Sequence, residues 1–246
     1  MYWPMILFLF ILALPGIFIT LPRLIVMLLP NNSPTVQKKM SRLVVIQTLI
    51  MVLLMAVAGT VLSTKTGLGD PLLSALLSGK EIWRHIQDAL LATGLLTLVG
   101  LVGFLLLYYG LAARVLEPPT LLALKTFRQK IGLDGCVLYG GVVDEILARW
   151  GLLNVILYFA MLFSGQKSDA MVWASIVISG LFFSISQLPA YLAAGCRASR
   201  QFVYIMLLLS LWQALIFGYI FWQYGLLITI FAHMIFYLGW YLYDKN

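Results

Sequence analysis

Residues 138–153 place two acids and a base inside an otherwise apolar run: Asp144, Glu145 and Arg149. Glu145 and Arg149 are four apart, so on a helix they share a face, and an ion pair offsets the cost of burying both. Asp144 lies about 100° round the same helix and points elsewhere, where that pair does not neutralise it. Two further polar residues interrupt later apolar runs, Gln187 and His233, and Tyr237 follows His233 by one helical turn. That spacing puts the phenol where it can orient the imidazole. A carboxylate, an amide and an imidazole are the groups of acid–base and hydrogen-bonding chemistry. A buried structural network made of the same groups is the competing reading.

The elements that position these residues follow from composition. The chain has 246 residues, 62% of them hydrophobic and only 10% charged. A water-soluble core cannot hide so much apolar surface, so most of the chain must be dissolved in lipid. Apolar runs of about 20 residues match a hydrocarbon core about 30 Å thick, and barrel strands would alternate polar and apolar instead. An all-α polytopic bundle is expected, with spans near 4–29, 42–63, 90–112, 134–163, 170–194, 202–222 and 225–243. The first run lacks a basic flank and a cleavage signal, and is kept as a helix rather than a removable leader.

Ionisable groups are costly at membrane depth and are functional candidates by default. Counting inward from the basic ends of the spans, Asp144 and His233 lie about 15 Å deep and Gln187 about 10 Å deep. Three polar groups from three helices therefore share one layer. Pro189 follows Gln187 and frees carbonyls near it, which predicts a kink opening a cavity there.

Eleven basic residues fall on one side of seven alternating spans, Arg23, Arg114, Arg128 and Arg197 among them, against four on the other. The N-terminus is expected outside and the C-terminus in the cytoplasm. The net charge of +7 is explained by these membrane edges, and no soluble domain exists to bind nucleic acid. Cys136 and Cys196 have no metal-ligand neighbours at zinc spacing and read as packing residues. Residues 64–89 show an amphipathic pattern expected to lie on the membrane, with His85 as an exposed surface residue of that segment. Residues 113–133 predict a basic interfacial helix attracted by anionic lipid. No fixed-period repeat is visible. One membrane domain, 1–246, is the economical division.

The residues of the later helices resemble the CAAX prenyl protease and bacteriocin-processing (CPBP) family of intramembrane proteases. That family carries Glu-Glu-x-x-x-Arg, Phe-x-x-x-His and His-x-x-x-Asn or Asp on separate helices. Asp144, Glu145 and Arg149 are similar to the first motif, Phe183 and Gln187 to the second, and His233 and Tyr237 to the third. The resemblance covers residues 131–243, and 1–130 are divergent helices and amphipathic loops. It implies an endopeptidase acting on a membrane-associated peptide or protein, lipidated or not, in a bacterial plasma membrane. Asp144 would be the base that activates water, with His233 and Gln187 stabilising the oxyanion and Glu145–Arg149 as a structural pair.

Three positions depart from the family pattern: Asp144 stands for glutamate, Gln187 for histidine and Tyr237 for the closing acid or amide. The alternative is therefore a catalytically impaired pseudoprotease that binds a membrane partner. A transporter would show broken helices in both halves, and the acid–base cluster sits in one half only. No metal and no cofactor are expected, because catalytic zinc needs three good ligands and this layer offers one histidine and one carboxylate beside an amide.

Overall fold

The computed structural model describes residues 2–245, with the side chains of Arg84, His85, Asp88 and Lys245 left outside the description. The expectation for His85 lies outside the described residues. No strand occurs among the described residues. The helices are α1 (Trp3–Leu28), α2 (Pro34–Thr66), α3 (Pro71–Leu77), α4 (Trp83–Leu105, running on as helix to Val115), α5 (Pro118–Gly135), α6 (136–164), α7 (Asp169–Ala193), α8 (Arg200–Tyr224) and α9 (Leu226–Lys245).

Seven helical stretches are long and apolar enough to cross a bilayer, matching the number and order expected. Leu7, Ile11 and Phe18 on α1 stay more than half exposed, a cost in water that lipid removes. The chain is a multi-pass membrane protein.

Residues 118–164 form a run of 47 helical residues, over twice the roughly 20 needed for one crossing. The run breaks at Gly132, whose φ of 80° and ψ of 163° are not helical. A side chain there would be strained by the positive φ, and its Cβ would lie 2.7 Å from an Asp134 oxygen. α5 is thereby separated from α6, the span that carries Asp144. α6 is wound with i→i+5 (π) hydrogen bonds over Cys136–Val143 and again over Ile146–Leu153. Asp144 and Glu145 sit at the junction of the two wide segments, a winding that is rare and often found at functional sites.

Close backbone approach holds α6 in the bundle. A Cβ at Gly16 of α1 would collide with the Leu138 carbonyl oxygen, and one at Gly140 would meet the Tyr237 ring of α9 at 2.5 Å. Such small residues let membrane helices pack through dispersion where lipid gives no hydrophobic drive. At the basic end Arg23 donates to both Asp134 oxygens, at 2.6 and 2.8 Å, and to the Ile131 carbonyl at 2.8 Å. The arginine thus ties α1 to the start of α6.

The amphipathic stretch between α2 and α4 behaves differently from its expectation of lying on the membrane. Leu72 and Leu73 of α3 are buried in the protein core. Asp70 explains the turn inward: its carboxylate accepts from Leu73 N at 2.7 Å, capping α3, and from Leu227 N at 2.6 Å, capping α9. Burial pushes the Asp70 carboxyl above its ordinary range, while backbone N–H groups of Leu73, Leu227, Leu226 and Leu72 pull it back. Asp70→Ala should strip two caps at once and lower stability by about 2–4 kcal/mol, with Asn intermediate because its amide keeps one acceptor oxygen. Thermal unfolding in detergent reads this; an unchanged midpoint would mean the carboxylate holds nothing.

Candidate active site within the bundle

α6, α7, α8 and α9, together with residues of α1, α4 and α5, line a cavity of about 390 Å³. Asp144, Gln187, His233 and Tyr237 all line it, as do Phe183 and Arg149. The lining extends from Arg128 and Trp240, at the basic end of the bundle, to Arg149 and Gln213 deeper in. Much of the wall is apolar, with Leu21, Leu24, Phe104, Phe127, Ile131 and Leu209 contributing.

Two polar groupings start from the adjacent residues Asp144 and Glu145 of α6. In the first, the Gln187 amide donates to Asp144 at 3.5 Å, a long hydrogen bond between α7 and α6. Pro189 sits inside α7 two residues beyond, where its ring removes one helical hydrogen bond. In the second grouping Glu145 is fully buried and bridges two partners. One of its oxygens lies 2.6 Å from His233 Nδ1, and the other lies 3.3 Å from Arg149 Nε. The Arg149 guanidinium also reaches the Gln213 carbonyl at 3.5 Å. A carboxylate shared by a guanidinium and an imidazole offsets the burial cost that each ion would carry alone.

The orientation of His233 corrects one expectation. The Tyr237 phenol does not hold the imidazole; its ring stacks on it instead, centroids 4.8 Å apart and planes 8° from parallel. Phe217 covers the other face at 4.0 Å and 16°. Helical neighbours one turn apart overlap ring over ring, which leaves the ring edges to Glu145. Glu145 thus does more than neutralise Arg149.

Ser210 and Gln213 of α8 also reach the cavity wall, and no motif pointed to them. Their signal was available as two polar residues three apart in the apolar run 202–222, hence on one helical face. At the basic end Arg128 pairs with Asp244 and lies 4.1 Å from the centre of the Trp240 ring. Cys136 lines the cavity and Cys196 is buried in an apolar cluster. Among the described residues no three His, Cys, Asp or Glu side chains converge as a metal site.

Residues 133–239 match the family model described as type II CAAX prenyl endopeptidase Rce1-like. The match agrees with the CPBP resemblance read from the motifs, and it contains every residue from Asp144 to Tyr237 discussed above. No curated protein and no solved structure gives a match. The matched segment runs from the end of α5 through α6, α7 and α8 into α9 as far as residue 239. α1 to α4 and most of α5 lie outside it, although α1 contributes Thr20, Leu21 and Leu24 to the cavity wall.

Proposed function

We propose that the chain is a CAAX-protease-like membrane endopeptidase whose site is the cavity between α6 and α9. The observation that supports this most is the convergence of Asp144, Gln187 and His233, from three helices, on one cavity wall. The basic end of the bundle is taken as cytoplasmic, in keeping with the charge bias of its edges. A peptide entering from there would pass Arg128 and Trp240 and lay its apolar or lipidated part against Phe104, Phe127 and Ile131. Its scissile carbonyl would then reach the polar layer. Asp144 holds the attacking water, the Gln187 amide donates to the developing oxyanion, and the stacked His233 supplies the third polar contact. Glu145 and Arg149 keep that layer neutral and fixed.

Activity should be limited by the two shortened or uncharged groups. Asp144 reaches one methylene less far than glutamate, and misplacing a reacting group by about 1 Å costs roughly a hundredfold. The double variant Asp144→Glu with Gln187→His is therefore expected to cleave a prenylated CAAX-type peptide about a hundredfold faster than the parent. No gain, in protein that unfolds normally, would contradict the assigned positions.

One observation favours a second reading, a pseudoprotease that binds a membrane partner. One of the two hydrogens of the amide suited to the oxyanion is already given to Asp144. The two readings part on Asp144→Ala: if the variant still captures a partner but loses its cellular effect, binding alone is insufficient, and if both persist the binding reading stands.

A further inference from the structure

The hydrogen-bond bookkeeping around Glu145 bears on which group moves the proton, an inference that rests on the hydrolytic reading above. The Arg149 guanidinium does not lose its proton in proteins, and it lies 3.3 Å from one Glu145 oxygen. Facing that fixed cation at salt-bridge distance, Glu145 acts as an acceptor toward its other partner. An ionised carboxylate is an acceptor with no hydrogen to give. The His233 nitrogen that meets it at 2.6 Å is therefore the one carrying hydrogen, and Nδ1–H donates to Glu145. A neutral imidazole has a single N–H, so Nε2 is left with a bare lone pair.

The surroundings hold that arrangement. Phe217 and Tyr237 sandwich the ring, which prevents it from flipping to present Nε2 to Glu145. Nε2 is buried and has no hydrogen-bond partner among the described residues, although the His233 side chain lines the cavity together with Asp144. Glu145 and Arg149 already balance one another. Asp144, the carboxyl that lines the cavity beside them, is met by the Gln187 amide.

We infer that Glu145 is a positioning residue that fixes His233 in its Nδ1–H tautomer, and that His233 Nε2 is the proton carrier of the hydrolysis. A bare nitrogen cannot donate to an oxyanion, so the donor role implied for His233 by family resemblance passes to Gln187. In the substrate complex the water gives one hydrogen bond to Asp144 and one to Nε2, which binding of the peptide must bring out of its buried position. As its oxygen bonds to the carbonyl carbon, the O–H bond facing His233 breaks and the proton moves to Nε2. Glu145 still accepts from Nδ1–H of the imidazolium so formed, and Asp144 across the water supplies the opposing charge. When the C–N bond breaks, the electron pair leaves with nitrogen and Nε2 returns the proton to it. A carboxylic acid and an amine result, with His233 neutral again.

The chain has two histidines, so His85→Gln leaves His233 as the sole imidazole signal in protein labelled with ¹⁵N-histidine. In bilayers at neutral pH, nitrogen resonance is expected to show one protonated nitrogen, Nδ1, and one unprotonated nitrogen, Nε2. Glu145→Gln should remove the preference and bring in the Nε2–H form, a change that a purely structural pair would not produce. An Nε2–H or doubly protonated ring in the His85→Gln protein would overturn the inference, whatever the fate of the Glu145 variant. This readout needs no substrate. Failure of the unmodified protein to cut a farnesylated CAAX-type peptide would instead overturn the hydrolytic reading and the carrier role with it, leaving the tautomer signal to report on Glu145 alone.

Discussion

Replacing Glu145 by alanine is expected to lower the stability of the bundle by about 3–5 kcal/mol, the usual cost of removing one partner from a buried ion pair. The reason is local. Glu145 is fully buried and Arg149 nearly so, and Arg149 would be left charged within a membrane span with only the distant Gln213 carbonyl for company. The Nδ1–H of His233 would lose its acceptor at the same time. Converting both members of the pair to apolar side chains, Glu145→Leu with Arg149→Met, should recover most of the loss, because no orphan charge remains. Unfolding of the three proteins in mixed detergent separates the cases. A single variant as stable as the parent, or a double variant no better than the single, would show that the pair is not holding the bundle.

The second large effect is chemical. His233→Gln is expected to lower turnover of a prenylated peptide by about 10²–10⁴, the range typical of a lost acid–base group. Glutamine can still fill part of the space and hydrogen-bond, but it cannot accept and return a proton. Peptide binding should change little, since the apolar lining that would hold the chain lies nearer the basic end. The split between turnover and KM is the measurement. Equal losses in both, or binding lost with turnover unchanged, would place His233 in recognition instead of proton transfer.

How much of this was legible in the sequence differs between the fold and the site. The seven spans could be read because a bilayer admits few solutions: about 20 apolar residues per crossing and every backbone group satisfied within the helix. The depth of Asp144, Gln187 and His233 followed from the fixed rise of a helix, and the structure does line one cavity with all three. Depth alone does not give rotation. Local spacing assigned the imidazole to Tyr237, four residues away, whereas the partner is Glu145, 88 residues away on another helix. That contact depends on how α6 and α9 are turned about their axes, and the wide winding of α6 on either side of Asp144 and Glu145 shifts that rotation. Asp70 shows the same limit. Its place before Pro71 marks a helix cap, but nothing nearby in the chain announces Leu227 as its second donor. The boundary beside Gly132 could be read, since the interfacial segment 113–133 and the span from 134 meet there, but not that it is made by a single glycine at φ 80° within one helical run.

The central claim is that the cavity beside Asp144 and His233 hydrolyses peptide bonds. The direct measurement is mass spectrometry of a farnesylated CAAX-type peptide incubated with the purified protein in liposomes. The account predicts a new C-terminus close to the prenylated cysteine, slow in the parent, faster in Asp144→Glu with Gln187→His, and lost in His233→Gln. An intact peptide with the parent and with the double variant alike, while both remain folded, would contradict it.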